Sequence, residues 1–156
     1  DYIDAPAASL YPFGHGLAYT TFALSGAALG RTELSWHGAV TTTVTVTNTG
    51  DRAGDEVVQL YVRDPVASVT RPVLELASFV RLELAPGESR EVTFETPVGQ
   101  LGFYDRGCDY VVEPGRLDVL VGTSSADLVE VGSVEVAADP GGRPPAKMYD
   151  GAVTVT

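Results

Sequence analysis

The fold is decided by one stretch in which valine and threonine alternate, Gly38-Ala39-Val40-Thr41-Thr42-Thr43-Val44-Thr45-Val46-Thr47-Asn48. Val40, Val44 and Val46 fall on one face together with Thr42, whereas the other threonines fall on the opposite face. A period of two, with β-branched residues on both faces, predicts a half-buried β-strand. Asn48-Thr49-Gly50-Asp51 follows as a turn.

The same alternation recurs along the chain and is interrupted by turn residues. We expect further strands in the segments 55–63, 79–84, 91–95, 100–105, 110–112, 117–121 and 134–136. Turns with Pro, Gly or Asp separate them, such as Ala85-Pro86-Gly87-Glu88 and Arg106-Gly107-Cys108-Asp109. Helical spacing is nearly absent. The pattern predicts an all-β chain, folded as a β-sandwich of about seven antiparallel strands.

Composition excludes several classes of function. The 156 residues are 44% hydrophobic, enough for one buried core, and the net charge is −11 from 10 basic and 21 acidic residues. Nucleic acids and anionic membrane surfaces need clustered positive charge, so we expect neither as a partner. No apolar run approaches the ~20 residues that span a bilayer. One cysteine, Cys108, and two distant histidines, His15 and His37, predict no disulfide, no metal site and no cofactor.

Both ends of the chain differ from the alternating region. Residues 1–19 are rich in aromatics, Gly and Pro, and residues 138–147 are a Pro/Gly linker. Val153 and Val155 then predict one last strand, either at the sandwich edge or as part of whatever follows. We therefore divide the chain into 1–19, 20–137 and 138–156. Asp1-Tyr2-Ile3-Asp4 lacks the basic and apolar regions of a signal peptide and begins without Met, which suggests a cut chain.

A family resemblance rests on specific motifs. The segment Leu10-Tyr11-Pro12-Phe13-Gly14-His15-Gly16-Leu17-Ala18-Tyr19-Thr20-Thr21-Phe22 resembles the linker signature that precedes the third domain of glycoside hydrolase family 3 enzymes, the β-glucosidases and β-xylosidases. Segments 44–50, 54–62, 84–89, 113–115 and 121–125 resemble the fibronectin type III-like domain, an immunoglobulin-like β-sandwich, that closes many of these enzymes. The resemblance covers about residues 2–137.

The resemblance implies an accessory role. The family's aspartate nucleophile and glutamate acid/base lie in two other domains, and retaining hydrolysis needs two carboxyl groups about 5–5.5 Å apart. We therefore expect a non-catalytic C-terminal domain that packs against the catalytic domains, stabilises them and shapes the substrate entrance. Two alternatives stay open: an independent carbohydrate-binding module that recognises oligosaccharide, and an adhesion or scaffold domain with a protein partner.

The linker signature holds the candidate docking residues. We expect interdomain contact from Tyr11, Pro12, Phe13, Gly14, His15 and Gly16. An exposed apolar surface is expected there, to which Leu10, Tyr11, Phe13, Leu17 and Tyr19 contribute. His15, between two glycines, has no nucleophile or carboxylate nearby in sequence, so we interpret it as a docking or packing residue rather than a catalytic one.

Aromatic residues and two loops hold the candidate sugar contacts. Tyr61 shares the polar face of its strand with Gln59 and Arg63, which predicts an exposed ring or one in contact with another domain. Tyr104 and Tyr110 flank a hairpin turn, and Arg71 lies in the connection 66–72; these are the loops expected at a substrate rim. Trp36 favours core or interdomain packing. The acids at the turns, Asp51, Asp55, Asp105 and Asp109, are interpreted as solvated, and Cys108 as an incidental thiol.

Overall fold

The computed structural model describes residues 9–138 and 145–156, and these form two β-sheets packed face to face. The strands are β1 (Phe22–Leu29), β2 (Glu33–Leu34), β3 (Ala39–Asn48), β4 (Gly54–Arg63), β5 (Glu75–Leu84), β6 (Ser89–Pro97), β7 (Phe103–Tyr104), β8 (Tyr110–Val111), β9 (Gly115–Ser124), β10 (Asp127–Val136) and β11 (Ala152–Val155). A single 3-10 turn, Val98–Gln100, follows β6. The predicted all-β sandwich is confirmed.

The two sheets contain four and five strands. The first has the order β1-β3-β6-β11 and the second β2-β10-β9-β4-β5, while β7 and β8 form a separate short hairpin. The described strands outnumber the predicted seven: the patterns of the sequence cover β3 to β11, including the short hairpin of β7 and β8, but neither β1 nor the two-residue strand β2. The pairing of the two-residue strand β2 with β10 is parallel, whereas the longer strands pair antiparallel as predicted.

Strand β1 shows why one long strand escaped prediction. Its sequence, Phe-Ala-Leu-Ser-Gly-Ala-Ala-Leu, contains no β-branched residue, and its register on β3 shifts between Ser25 and Ala28. Gly26, inside that shift, has a φ of 62°, a left-handed conformation that favours glycine. The bulge interrupts the period-two alternation of buried and exposed residues that identifies the other strands.

The core lies between the two sheets and follows the alternation of the sequence. On β3, Val40, Val44, Val46 and Thr42 are all fully buried. The neighbouring strand β6, the 3-10 turn and the strands of the facing sheet supply the remaining large buried side chains, namely Val58, Leu60, Leu84, Val92, Phe94, Val98, Val119, Val121 and Val134. Burial of each such side chain contributes about 1.5–3 kcal/mol, so this layer dominates the stability of the sandwich.

Strand β4 corrects the expectation for Tyr61. Its residues Val58 to Val62 are buried on both faces, and Tyr61 is only 3% exposed. The alternation correctly separates Tyr61 from the core residues, but the face opposite the core is itself covered. The prediction of an exposed Tyr61 ring is therefore wrong, because a period of two distinguishes the faces of a strand but does not say what covers each face.

Asn48 fixes one end of the sandwich. Its side chain is fully buried and donates to the carbonyl oxygens of Arg52 (2.7 Å) and Leu84 (2.9 Å). Its Oδ1 accepts from the Thr20 hydroxyl at 2.8 Å and from the Gly50 amide at 3.0 Å. Two turns and the start of β1 are thereby joined through one amide group, which explains the Asn-Thr-Gly motif physically.

The last strand settles the alternative left open for the tail. Val153 and Val155 lie on β11, which pairs antiparallel with β6, so this strand forms the edge of the four-stranded sheet. Met148 donates its amide to the Gly99 carbonyl at 3.2 Å and holds the preceding segment on the sandwich. The expected linker falls mainly on residues 139–144, and these, like residues 1–8, lie outside the described residues.

The sandwich has two ends. At the end that we call the linker end lie the turn 49–53, the turn 85–88 and the β9–β10 turn. The opposite end, the loop end, carries the connection 64–74, the β7–β8 hairpin and the segment 145–149. Strands of ten residues separate the two ends by about 30 Å.

Candidate docking surface and loop-end cluster

The linker signature is anchored at the linker end by its backbone. The Ser125 amide, in the β9–β10 turn, donates to the Phe13 carbonyl at 2.8 Å, and the His15 amide donates to Pro12 at 3.0 Å. Gly14 adopts a φ of 83°, and a Cβ built there would lie 2.2 Å from Nε2 of Gln59. Only glycine allows this approach and this backbone conformation together.

Gln59, which lies against Gly14 of the linker segment, belongs to a buried hydrogen-bond chain. Its Nε2 donates to the Thr123 carbonyl at 2.8 Å, while its Oε1 accepts from the Tyr61 hydroxyl at 2.6 Å. Burial raises the pKa of Tyr61, which keeps the phenol protonated as a donor. Tyr61 therefore supports the surface on which the linker segment lies, and its buried ring offers no face to a sugar.

The outer side of the linker segment is apolar and exposed. The exposed fractions are 86% for Leu10, 95% for Leu17 and 93% for Tyr19, and Tyr11 and Phe13 are two-thirds exposed. His15 is exposed as well, and its ring lies 5.1 Å from that of Tyr11 at a tilt of 34°. We call these six residues the docking surface. The exposure of its five apolar residues matches the expectation for the linker signature.

An acidic cleft lies beneath the segment. Asp55, Glu56 and Asp127 line it together with Arg81, which forms an ion pair with Asp55. Burial, and to a lesser extent the charge of Asp127, raises the pKa of Glu56. Among residues 9–138 and 145–156, no group of three or more His, Cys, Asp or Glu side chains has the geometry to hold a metal ion.

At the loop end, Arg71 is a structural residue. Its guanidinium donates to Asp64 at 2.8 Å, to Glu75 at 2.6 Å and to the Leu101 carbonyl at 3.0 Å, and it lies 4.8 Å from the centre of the Phe103 ring. The side chain is only 8% exposed. Arg71 thus fastens the connection 64–74 to the strand that begins the hairpin, so the two loops named from sequence form one cluster.

Tyr104 and Tyr110 are brought together at the same end. Their ring centres lie 5.4 Å apart in an edge-to-face arrangement, and the Tyr110 hydroxyl donates to the Gly99 carbonyl at 2.7 Å. Lys147 places its ammonium 4.8 Å from the Tyr104 ring, 5.4 Å from the Tyr110 ring and 5.1 Å from the Tyr149 ring. Burial raises the pKa of Tyr110. Sequence reasoning missed Lys147 and Tyr149 because they lie about 40 residues from the hairpin.

A buried ionic cluster on the five-stranded sheet was also missed. Asp118 is 3% exposed and accepts hydrogen bonds from Arg63 (2.8 Å), Arg116 (2.7 Å) and Ser133 (2.9 Å). Burial alone would raise the pKa of Asp118, but these three donors outweigh it and hold the pKa below its usual value. The signal in the sequence is weak, since three strands contribute to the cluster.

The docking surface and the loop-end cluster do not form one site. The first lies at the linker end and the second at the opposite end, about 30 Å away along the strands. Tyr104, with 55% exposure, and the connection around Val66, with 85%, are the accessible parts of the loop end. Cys108, in the hairpin turn, is exposed and has a φ of 64°.

Comparison with known proteins identifies the family. Residues 56–125 match the model of the fibronectin type III-like domain. A periplasmic β-glucosidase of Salmonella typhimurium is 42% identical over 86% of this chain and 18% of its own length, and a β-xylosidase of Formosa agariphila is 46% identical over 74% and 16%. This chain is a fibronectin type III-like domain of the glycoside hydrolase family 3 kind.

The fold comparison agrees with that assignment for the domain. The crystal structure of a β-glucosidase from Listeria innocua in complex with glucose matches with a TM-score of 0.82 and 41% identity, over 88% of this chain and 19% of that one. The chain therefore spans less than a fifth of the length of the relatives that it matches. Within the described residues, no helix is long and apolar enough to cross a membrane.

Proposed function

We propose that this chain is the non-catalytic accessory domain of a β-glycosidase, a β-glucosidase or β-xylosidase, and that it stabilises the catalytic domains by packing against them. The observation that carries the proposal is the docking surface. Leu10, Tyr11, Phe13, Leu17 and Tyr19 expose large apolar side chains within ten residues of each other. A monomeric soluble protein rarely leaves such a surface uncovered.

The anchoring of the segment supports a rigid interface rather than a loose tether. The bond from Ser125 to Phe13 and the contact of Gly14 with Gln59 fix the backbone on the sandwich. The exposed side chains are therefore held in position before they meet a partner, which reduces the entropy lost on docking. The partner is the catalytic body of the same parent chain.

The docking surface and the loop-end cluster lie at opposite ends of the sandwich, and this constrains where the catalytic domains can lie. If they contacted only the linker end, the loop end would lie about 30 Å away from them. The loop 64–74 and the hairpin 104–110 shape the substrate entrance only if the catalytic body lies alongside the sandwich. We propose this side-by-side arrangement for the parent enzyme.

The experiment replaces two docking side chains with charges. In Leu17→Glu/Tyr19→Glu, the isolated domain should keep its melting temperature, because both residues are more than nine-tenths exposed. In the full-length parent, the same change should lower the inactivation temperature, since two buried apolar side chains contribute about 3–6 kcal/mol. Val129→Glu, at a residue 55% exposed on β10, is the matched control.

Two results would overturn the proposal. An unchanged inactivation temperature of the full-length double variant, with the isolated domain folded, removes the docking role. Measurable turnover of a nitrophenyl β-glucoside or β-xyloside by the pure 156-residue chain removes the non-catalytic assignment.

A further inference from the structure

A cleft opens at the loop end, on the side away from the docking surface. It has a volume of about 720 Å³, and its walls are formed by Trp36, His37, Tyr110, Lys147 and Met148. This volume lies in the range of sites for small ligands, roughly 300–1,000 Å³. The cleft takes no part in the proposed docking role, because about 30 Å of strand separates it from the linker segment.

The cleft is built by three separate parts of the chain. The β2–β3 turn supplies Trp36 and His37, and the Val98 amide holds this turn by donating to the Gly38 carbonyl at 2.9 Å. The hairpin supplies Tyr110, which is fixed by its bond to Gly99. The segment 145–148 closes the third side. It lies so close to Gly99 that a Cβ added there would be 2.8 Å from the Ala146 carbonyl oxygen.

The polar groups of the walls are mainly hydrogen-bond donors. The Trp36 indole N–H is buried and has no hydrogen-bond partner among the described residues. Lys147 lies against tyrosine rings, and no carboxylate within 4.0 Å pairs with it in the described part of the chain. The indole N–H is enclosed by the wall, whereas the Lys147 ammonium is exposed and would pair with a ligand rich in acceptor oxygens.

Two exposed tyrosine rings lie beside Lys147 at the mouth of the cleft. Tyr104 is 55% exposed and Tyr149 is 80% exposed, and both flank the Lys147 ammonium. An aromatic ring offers an apolar face to the C–H face of a pyranose, while neighbouring donors bind its hydroxyl oxygens. The net charge of −11 disfavours polyanionic ligands, so a neutral, hydroxyl-rich ligand fits best.

We propose that this cleft, with Trp36 and Tyr110 as its walls and Tyr104, Lys147 and Tyr149 at its mouth, binds one or more pyranose units of a neutral oligosaccharide. The occupied cleft lies at the end of the sandwich remote from the docking surface.

The single tryptophan makes the test specific. Trp36 is the only tryptophan of the chain, so its fluorescence reports directly on the cleft. The 156-residue chain is titrated with cellotetraose, laminaritetraose and xylotetraose, with sorbitol at equal concentration as the control for nonspecific effects. We expect a saturable change in emission for at least one tetraose, with a Kd at or below about 5 mM, and no saturable change for sorbitol.

Variants separate this site from other aromatic surfaces. Tyr104→Ala and Lys147→Ala should each weaken binding at least about fivefold, because each removes a contact with the sugar at the mouth of the cleft. Tyr19→Ala removes an exposed tyrosine at the linker end and should leave the Kd unchanged. Thermal unfolding of every variant verifies that the sandwich remains folded, and calorimetric titration with Trp36→Phe measures the contribution of the indole ring to the wall of the cleft.

The outcomes are decisive in both directions. Saturable binding that falls in Tyr104→Ala and Lys147→Ala but not in Tyr19→Ala supports the proposal, and the preferred tetraose identifies the linkage. Absence of saturation with all three tetraoses up to about 20 mM overturns it. Equal weakening by Tyr19→Ala also overturns it, because binding would then not depend on the cleft. Neither result bears on the docking role, which is tested through the stability of the parent.

Discussion

Replacing Gly14 with alanine tests how the linker segment is held on the sandwich. Two costs to the free energy of the docked segment are expected. A left-handed backbone is disfavoured for alanine by about 1–2 kcal/mol, and Gly14 has a φ of 83°. The new Cβ would also lie 2.2 Å from Nε2 of Gln59, so that side chain must move and its bond to the Thr123 carbonyl is lost, at about 1–2 kcal/mol. The sum is about 2–4 kcal/mol.

The penalty can be relieved in two ways that the measurement distinguishes. If the segment detaches locally, the Ser125 amide loses its bond to the Phe13 carbonyl and its hydrogen exchange accelerates, while the melting temperature changes little. If the segment stays docked, the whole domain is destabilised, and the melting temperature falls by about 5–15 °C. Exchange at Ser125, recorded by NMR, and calorimetric unfolding therefore report the two cases separately.

Gly16→Ala is the matched control for Gly14→Ala. It makes the same chemical change two residues away, where an added Cβ has no neighbour within 4 Å. We expect Gly16→Ala to leave both Ser125 exchange and the melting temperature unchanged. If the two variants behave alike, or if Gly14→Ala alters neither quantity, the reasoning about the fit of Gly14 on Gln59 is refuted.

Two further predictions concern the buried charges. Asp118→Asn should destabilise the domain by about 1–2 kcal/mol at pH 7, because a neutral amide replaces the buried carboxylate that accepts hydrogen bonds from Arg63 and Arg116. The folded pKa of Asp118 is lowered, so its contribution is present above about pH 4 and is lost as the pH falls through that folded value. Denaturant unfolding at pH 7 and pH 3 should show the difference shrinking, and a constant difference would contradict this. Arg71→Ala should lower the melting temperature by about 5–10 °C, since it leaves Asp64 without its partner. Arg71→Lys should recover only part of that loss, because an ammonium cannot span Asp64, Glu75 and the Leu101 carbonyl together, and full recovery would show that the guanidinium geometry is unimportant.

The fold could be predicted wherever a strand alternates regularly. Strand β3 is the clearest case, since its valines are all fully buried as the period of two requires. Strand β1 could not be predicted, because its bulge at Gly26 interrupts the period and its side chains are small. Two-residue strands such as β2 are equally hidden, since pairing with a distant edge defines them and no local pattern does.

The candidate site was predictable in its parts but not in its arrangement. The linker motif predicts the exposed side chains of Leu17 and Tyr19, because it contains apolar residues without the alternation of a strand. The motif cannot indicate that Tyr61 is buried, which depends on the covering of the outer face of β4. It also cannot indicate that Lys147 meets Tyr104 and Tyr110, because a contact between distant segments depends on where the whole chain folds.

The class of fold, the exposed apolar residues of the linker signature and the family could be inferred from the amino-acid sequence alone, because these depend on local periodicity and on contiguous motifs. Only the tertiary structure decided which polar faces are covered, that Arg71 fastens one loop to another, and that the docking surface and the loop-end cleft lie at opposite ends. These properties arise from contacts between residues that are far apart along the chain, and no local pattern encodes the distances between them.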